Sequence, residues 1–266
     1  MSLLVKSHKT GLTIVDVTPQ SAGWQHVGFA AYRLIPGQSV DFRDPGRECC
    51  VVVLSGFVTI SAGDQTWREI GRRNSVFDPM APFAAYVPNG PLVNITAHTA
   101  AEIALCTAPG QGHHAARLIP PDSMSRSTRG KGANTRFICD ILPQSASADS
   151  LLVVEVRTPS GHSSSYPPHK HDADNLPVES YLEETYYHRL NPAQGFAFQR
   201  VYTDDRSLDE AMAVEDHDVV MVPRGYHPVC VPFGYESYYL NVMAGPKREW
   251  CFKNDPQHEW LLSLPG

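Results

Sequence analysis

The chain has 266 residues and a mass of 29.4 kDa, enough for two domains of roughly 130 residues and for a core that folds without disulfide or metal. Hydrophobic residues are 42% and charged residues 19%, which excludes a wholly disordered chain. Lys and Arg number 22 against 28 Asp and Glu, and the net charge of -6 argues against nucleic acid or an anionic membrane as partner.

From the N-terminus, MSLLVKSHKTGLTIVDV lacks a cationic region followed by an apolar run, so no signal peptide is expected. No apolar stretch approaches the roughly 18 residues of a membrane span. The six cysteines are scattered and form no C-x-x-C pair, which reads as reduced thiols of a cytoplasmic protein.

Strands are predicted at 30–36, 49–63, 92–97, 102–108, 151–158, 184–190, 195–203, 218–225 and 237–245, all rich in Val, Ile, Tyr, Thr and Phe. Short strands between Gly and Pro punctuation indicate an all-β barrel or sandwich. One helix is predicted over 207–215, where Ser207 and Glu210 have the spacing of a capping box. Between about Pro109 and Asn134 the composition turns polar, basic and rich in Gly and Ser. The predicted organisation is a barrel over 1–110, a connector over 111–134 and a second barrel over 135–266. Both halves contain a strand ending V-P-x-G, at Val87–Gly90 and Val222–Gly225, which suggests a duplicated barrel.

The second half carries the chemistry. In Tyr166-Pro167-Pro168-His169-Lys170-His171-Asp172, the two histidines share one face of an extended chain, while Lys170 faces away. Glu183 and Glu184 open a strand, and His227 follows a later one. Three imidazoles and a carboxylate suit zinc, manganese, iron or nickel and leave positions open for substrate on a five- or six-coordinate ion. Counting by two from Glu184 places Tyr186 and His188 on the same inward face, as candidates for proton relay. Arg200, within GFAFQRVYTDD, is a candidate clamp for a substrate carboxylate, the alternative being an outward Arg paired with a nearby Asp. The first half offers no comparable set: His8, His26 and His98 are widely spaced, so its barrel is expected to bind no metal.

With its H-x-H, following Glu, P-x-G turn and further His, the chain resembles a cupin, although twelve residues, DADNLPVESYLE, separate His171 from Glu184. A narrower resemblance covers essentially the whole chain. The runs RGKGANTRFICDILP, YPPHKHD, LEETYYHRLNPAQGFAFQRVYTDD, DVVMVPRGYHPV and LNVMAGPKREW, with GWQHVGFAAYRLIPGQ and VLSGFVTI before them, resemble the 5-deoxy-glucuronate isomerase family of myo-inositol catabolism. The resemblance implies a bicupin, two tandem double-stranded β-helix (jelly-roll) barrels, with a divalent metal in the second. It implies an aldose–ketose isomerisation of 5-deoxy-D-glucuronate to 5-dehydro-2-deoxy-D-gluconate.

Carried over to this sequence, the ligands implied are His169, His171, Glu184 and His227, with Glu183 and Glu179 as alternatives to Glu184. Competing readings are a related uronate ketol-isomerase, a metal-dependent oxygenase and a non-catalytic sugar-binding cupin. The expected partner is a small sugar acid, and Trp-containing, apolar strand edges favour association into a homo-oligomer.

Overall fold

In a computed structural model of the chain, residues 2–264 are described. Each of the nine predicted strand regions contains strand, and the 49–63 region divides into Arg47–Ser55 and Val58–Ala62 around Gly56. The one α-helix among the described residues, Pro19–Ala22, spans four residues.

The helix predicted over 207–215 is instead a strand, Asp209–Glu215. It pairs antiparallel with Phe196–Tyr202 along its whole length. Met212 and Val214 are buried between exposed neighbours, a period of two that the segment already carries. The Ser207 hydroxyl donates to Asp205 and caps no helix.

The two copies of the fold are legible in the strand order. One six-stranded sheet runs Arg117–Ile119, Phe83–Val87, Arg47–Ser55, Ala101–Pro109, Gly28–Leu34 and Thr13–Val17. A seven-stranded sheet repeats that order as Leu4–Val5, Val219–Val222, Glu183–Asn191, Glu236–Ala244, Leu152–Thr158 and Arg136–Leu142, and adds Ser125–Arg129. The four-stranded partner sheets match as well: Ser39–Phe42, Val93–Ala97, Val58–Ala62 and Gln65–Ile70 in one, Ser163–Ser164, Val229–Cys230, Phe196–Tyr202 and Asp209–Glu215 in the other. Two sheets facing each other in each copy make the bicupin architecture that the resemblance implies.

The chain divides into two compact units, and the cuts fall elsewhere than at 110 and 134. One unit comprises residues up to Ser7, Arg126–Cys139 and Val154 onward; the other comprises His8–Ser125 and Asp140–Val153. The connector therefore supplies ordered structure to both units. Its Arg117–Ile119 strand pairs with Phe83–Val87 in the first barrel. Segment 140–153 belongs to that barrel because the buried Glu48 carboxylate accepts hydrogen bonds from the backbone N–H groups of Asp149, Ser150 and Leu151 at 2.8, 2.6 and 2.6 Å. Four bonds to one carboxylate, counting the Tyr86 hydroxyl, offset the cost of burying its charge.

Between the sheets of the first barrel the space is apolar. Cys49, Val51, Val53, Ile60, Val87, Ile95 and Leu105 are buried in one cluster. The second barrel is lined differently, and this difference places the site.

Candidate metal centre and its cavity

Strand register shows where the two copies diverge. Cys49 lies opposite Val87, and Glu184 lies opposite Val222, each the first residue of its V-P-x-G turn. Cys49, Val51 and Val53 therefore occupy the places of Glu184, Tyr186 and His188. Three apolar side chains in one barrel become a carboxylate, a phenol and an imidazole in the other.

His169, His171 and His227 converge, with Glu184 beside His171 and His227. Their candidate ligand atoms lie within 4.8 Å of one another. The Glu184 Oε2 is 3.1 Å from His171 Nε2 and 3.3 Å from His227 Nε2. Bonds of about 2.0–2.2 Å to a shared ion place neighbouring donor atoms about 3–4 Å apart, the range of the two Glu184 contacts.

Two of the three histidines, His171 and His227, are aimed by a second contact. His171 Nδ1–H donates to the Leu182 carbonyl at 3.0 Å, and His227 Nδ1–H donates to the Gly225 carbonyl at 2.8 Å. Those bonds fix the tautomers and turn both Nε2 lone pairs toward the centre. The His227 Nε2 is buried and has no hydrogen-bond partner, the state of a nitrogen shaped to hold something other than a proton.

The local chain explains the aim. His169–Lys170 is a short strand paired with Lys253–Asn254. A two-residue spacing puts both histidines on one side, while Lys170 points away to Asp172 and Asp204, each at 2.8 Å. Gly225 has φ +91, and a Cβ there would come within 2.5 Å of the Tyr202 carbonyl oxygen, so only glycine makes the turn that delivers His227.

Of the three acids weighed for the fourth donor, only Glu184 reaches the cluster. Glu183 is its strand neighbour and points to the other face of the sheet. Glu179 accepts from the Asp172 backbone N–H at 2.7 Å, on the side of Lys170.

Burial pushes His169 and His227 down to about 3, so both rings are neutral and available as lone-pair donors. Burial pulls His171 down as well, but the hydrogen bond and charge of Glu184 outweigh it and leave its pKa raised.

His169 and Glu184 form part of the wall of a cavity of about 280 Å³, which also holds Tyr186, Ser165, Tyr239 and Asn241. The Tyr186 hydroxyl is 2.9 Å from Ser165 Oγ, and burial pushes its pKa well above the ordinary tyrosine value. It therefore carries its proton at neutral pH. Val154, Val156, Trp250 and Phe252 supply the apolar walls.

Two expected site residues are elsewhere. Arg200 is on the outer face of its strand, between buried Gln199 and Val201, and makes a bidentate pair with Asp209 at 2.7 Å for both bonds. It does not line the cavity, so the structure does not bring the expected carboxylate clamp at Arg200 to the histidines. His188 does share the Glu184 face, but lies two pairs further along the strand, about 13 Å from Glu184 at roughly 3.3 Å per residue. There it is fully buried and 2.9 Å from Gln199 Oε1, and it does not line the cavity.

The cations that do line the cavity are Arg129 and Arg136. Neither was singled out from the sequence, although both lie in or beside the RGKGANTRFICDILP run. Tyr239 and Asn241 were also missed. The signal for them is two polar side chains at alternate positions of a buried strand, facing His188 and Tyr186 across the ladder.

Known proteins resemble this chain in sequence and in fold. The model of the KduI/IolB family matches residues 3–261. The 5-deoxy-glucuronate isomerase of Geobacillus kaustophilus is 53% identical over 262 residues, 98% of this chain and 95% of that protein. That of Bacillus subtilis strain 168 is 49% identical, covering 98% of this chain and 99% of the relative. The crystal structure of an IolB-like protein from Salmonella typhimurium superposes with a TM-score of 0.97 at 48% identity, covering 98% of this chain and all of that one. The oxalate decarboxylase of Lactobacillus farciminis superposes with a TM-score of 0.66 at 14% identity over 100% of this chain and 91% of its own, a likeness of fold alone.

Proposed function

The chain belongs to the KduI/IolB family, and from that premise we propose that it is a 5-deoxy-glucuronate isomerase that works with a divalent metal ion in its second barrel. The observation that carries the reading is the group of three histidines and Glu184 set beside a cavity of about 280 Å³, the scale of a six-carbon acid. The reaction converts 5-deoxy-D-glucuronate to 5-dehydro-2-deoxy-D-gluconate. One hydrogen moves from C2 to C1, and one hydroxyl proton moves from the C2 oxygen to the C1 oxygen, so nothing is gained or lost.

His169, His171, His227 and Glu184 would hold the ion. When bound, it supplies Lewis acidity that polarises the C1 carbonyl and stabilises negative charge on the oxygens at C1 and C2. Tyr186 holds a proton where those oxygens change places as donor and acceptor. Its hydroxyl faces Ser165, so a proton given to one oxygen can be replaced from the other without passing through bulk water. Trp250 and Phe252 keep the cavity wall apolar, which strengthens each of these interactions.

The test is direct. Purified protein incubated with 5-deoxy-D-glucuronate is followed by proton NMR. Loss of the C1 aldehyde or hemiacetal signal with growth of the keto acid is the expected result. A metal-loaded protein that leaves the acid unchanged contradicts the assignment.

A further inference from the structure

A sugar acid brings a carboxylate into the cavity, and the cations on the cavity wall that could meet it are Arg129 and Arg136. Arg200, the sequence's candidate, is outside. Arg136 is in place: it is half-buried, lines the same cavity as His169 and Glu184, and pairs with no carboxylate among the described residues. Its Nη1 donates to the Asn134 backbone carbonyl at 3.0 Å and to Asn134 Oδ1 at 3.1 Å. Asn134 is in turn held by its Nδ2 donating to the Tyr166 carbonyl at 2.9 Å. One edge of the guanidinium is thus fixed by neutral acceptors, and the rest of the fork is left for a ligand.

The chain beside it is shaped to this purpose. Gly130 has φ +77, and a Cβ there would come within 2.7 Å of Arg136 Nη1. The clearance lets the guanidinium lie against the backbone. Burial lowers the Arg136 pKa, as it does for a cation without a counter-charge. Arg129 lines the cavity too, its guanidinium 5.6 Å from the Trp250 ring centre, and adds a second positive charge. Neither guanidinium is paired with a carboxylate among the described residues, and two such cations on one cavity wall, in a protein of net charge -6, mark the place where an anion is brought in.

We propose that Arg136 is the substrate-binding residue that takes the carboxylate of the sugar acid, opposite the end held at the histidines, and that Asn134 and Gly130 position it. The identity of the acid rests on the isomerase reading; the anion site itself does not. A planar guanidinium matches a carboxylate through two parallel bonds, which a lysine or an amide cannot reproduce.

The test uses two probes that cannot isomerise: 5-deoxy-D-glucuronate reduced at C1, and the neutral polyol with CH2OH in place of the carboxylate. Both are titrated calorimetrically into metal-loaded wild type, Arg136→Gln and Arg136→Lys. Wild type is expected to bind the acid at least 10-fold more tightly than the polyol, the scale of a charge-assisted pair. In Arg136→Gln that preference should shrink to under about threefold, with Arg136→Lys between, while polyol affinity and metal content stay unchanged. A preference that survives in Arg136→Gln, or a wild type that does not tell the probes apart, overturns the proposal. If Arg136-dependent preference is found in a protein that does not isomerise 5-deoxy-D-glucuronate, the anion site stands and the isomerase reading fails.

Discussion

Cys49 and Glu184 hold the same place in the two copies of one fold, and that single difference carries much of the functional divergence between them. A thiol buried among Val51 and Val53 belongs to a packed core. A carboxylate between His171 and His227 belongs to a polar centre that needs a cation to balance it. That the three histidines and Glu184 come together was readable because each sits on a short-period pattern: H-x-H on an extended chain, Glu184 on an inward strand face, His227 after a glycine turn. Arg200 shows the limit of that reasoning. The alternation around it, with Gln199 and Val201 buried, places it outside, and an aspartate on the neighbouring strand claims it. Arg136 was not legible because its role depends on a turn at Gly130 and Asn134 that no local pattern announces. Tyr186→Phe tests the proton relay at this scale. Loss of one positioned general acid–base group is expected to lower kcat by about 100-fold or more with little change in KM. Steady-state kinetics with the metal content held equal would show it, and an unchanged kcat would remove Tyr186 from the chemistry.

The strands themselves were largely foreseen, since all nine predicted regions contain strand, and the failures have one cause. Segment 207–215 satisfies a helix cap at Ser207 and a strand alternation at Met212 and Val214, and pairing with Phe196–Tyr202 decides between them. Local signals rank the options, and a partner strand selects one. The turn that follows Asp209–Glu215 depends on a similar non-local contact. Asp216 accepts from Arg189 Nε at 2.9 Å and from the Leu190 backbone N–H at 2.8 Å, with His217 Nδ1 at 2.9 Å from its other oxygen. Burial by itself would raise the Asp216 pKa, but His217, Arg189 and the Leu190 N–H outweigh it and leave it depressed. A carboxyl with a native pKa below its unfolded value stabilises the fold above about pH 4, and that contribution is lost as pH falls through the native pKa. Asp216→Asn is therefore expected to cost about 1–2 kcal/mol at pH 7 and progressively less toward pH 2. Urea titrations of both proteins across that range check it. A cost that does not change with pH would show that the charge of Asp216 plays no part.

At the scale of the whole molecule, the two V-P-x-G strands were enough to suggest a duplicated barrel, and the repeated sheet order bears this out. The path of the chain between the copies was not legible. Residues up to Ser7 and 126–139 join the second unit, and 140–153 joins the first, through contacts such as Glu48 with the backbone at 149–151. Such contacts join residues about a hundred positions apart, beyond the reach of periodicity. The duplication nevertheless sets the contrast between the copies: one keeps an apolar interior, and the other opens a cavity lined by His169, Glu184 and tyrosines. The account stands or falls on whether the histidine and Glu184 group holds an ion that the reaction requires. One preparation should be assayed for bound metal and for turnover of 5-deoxy-D-glucuronate as isolated, after chelation, and after a divalent ion is returned. The account predicts about one ion per chain, with activity that falls in step with its removal and recovers when it is restored. Full turnover by protein shown to be metal-free would contradict it.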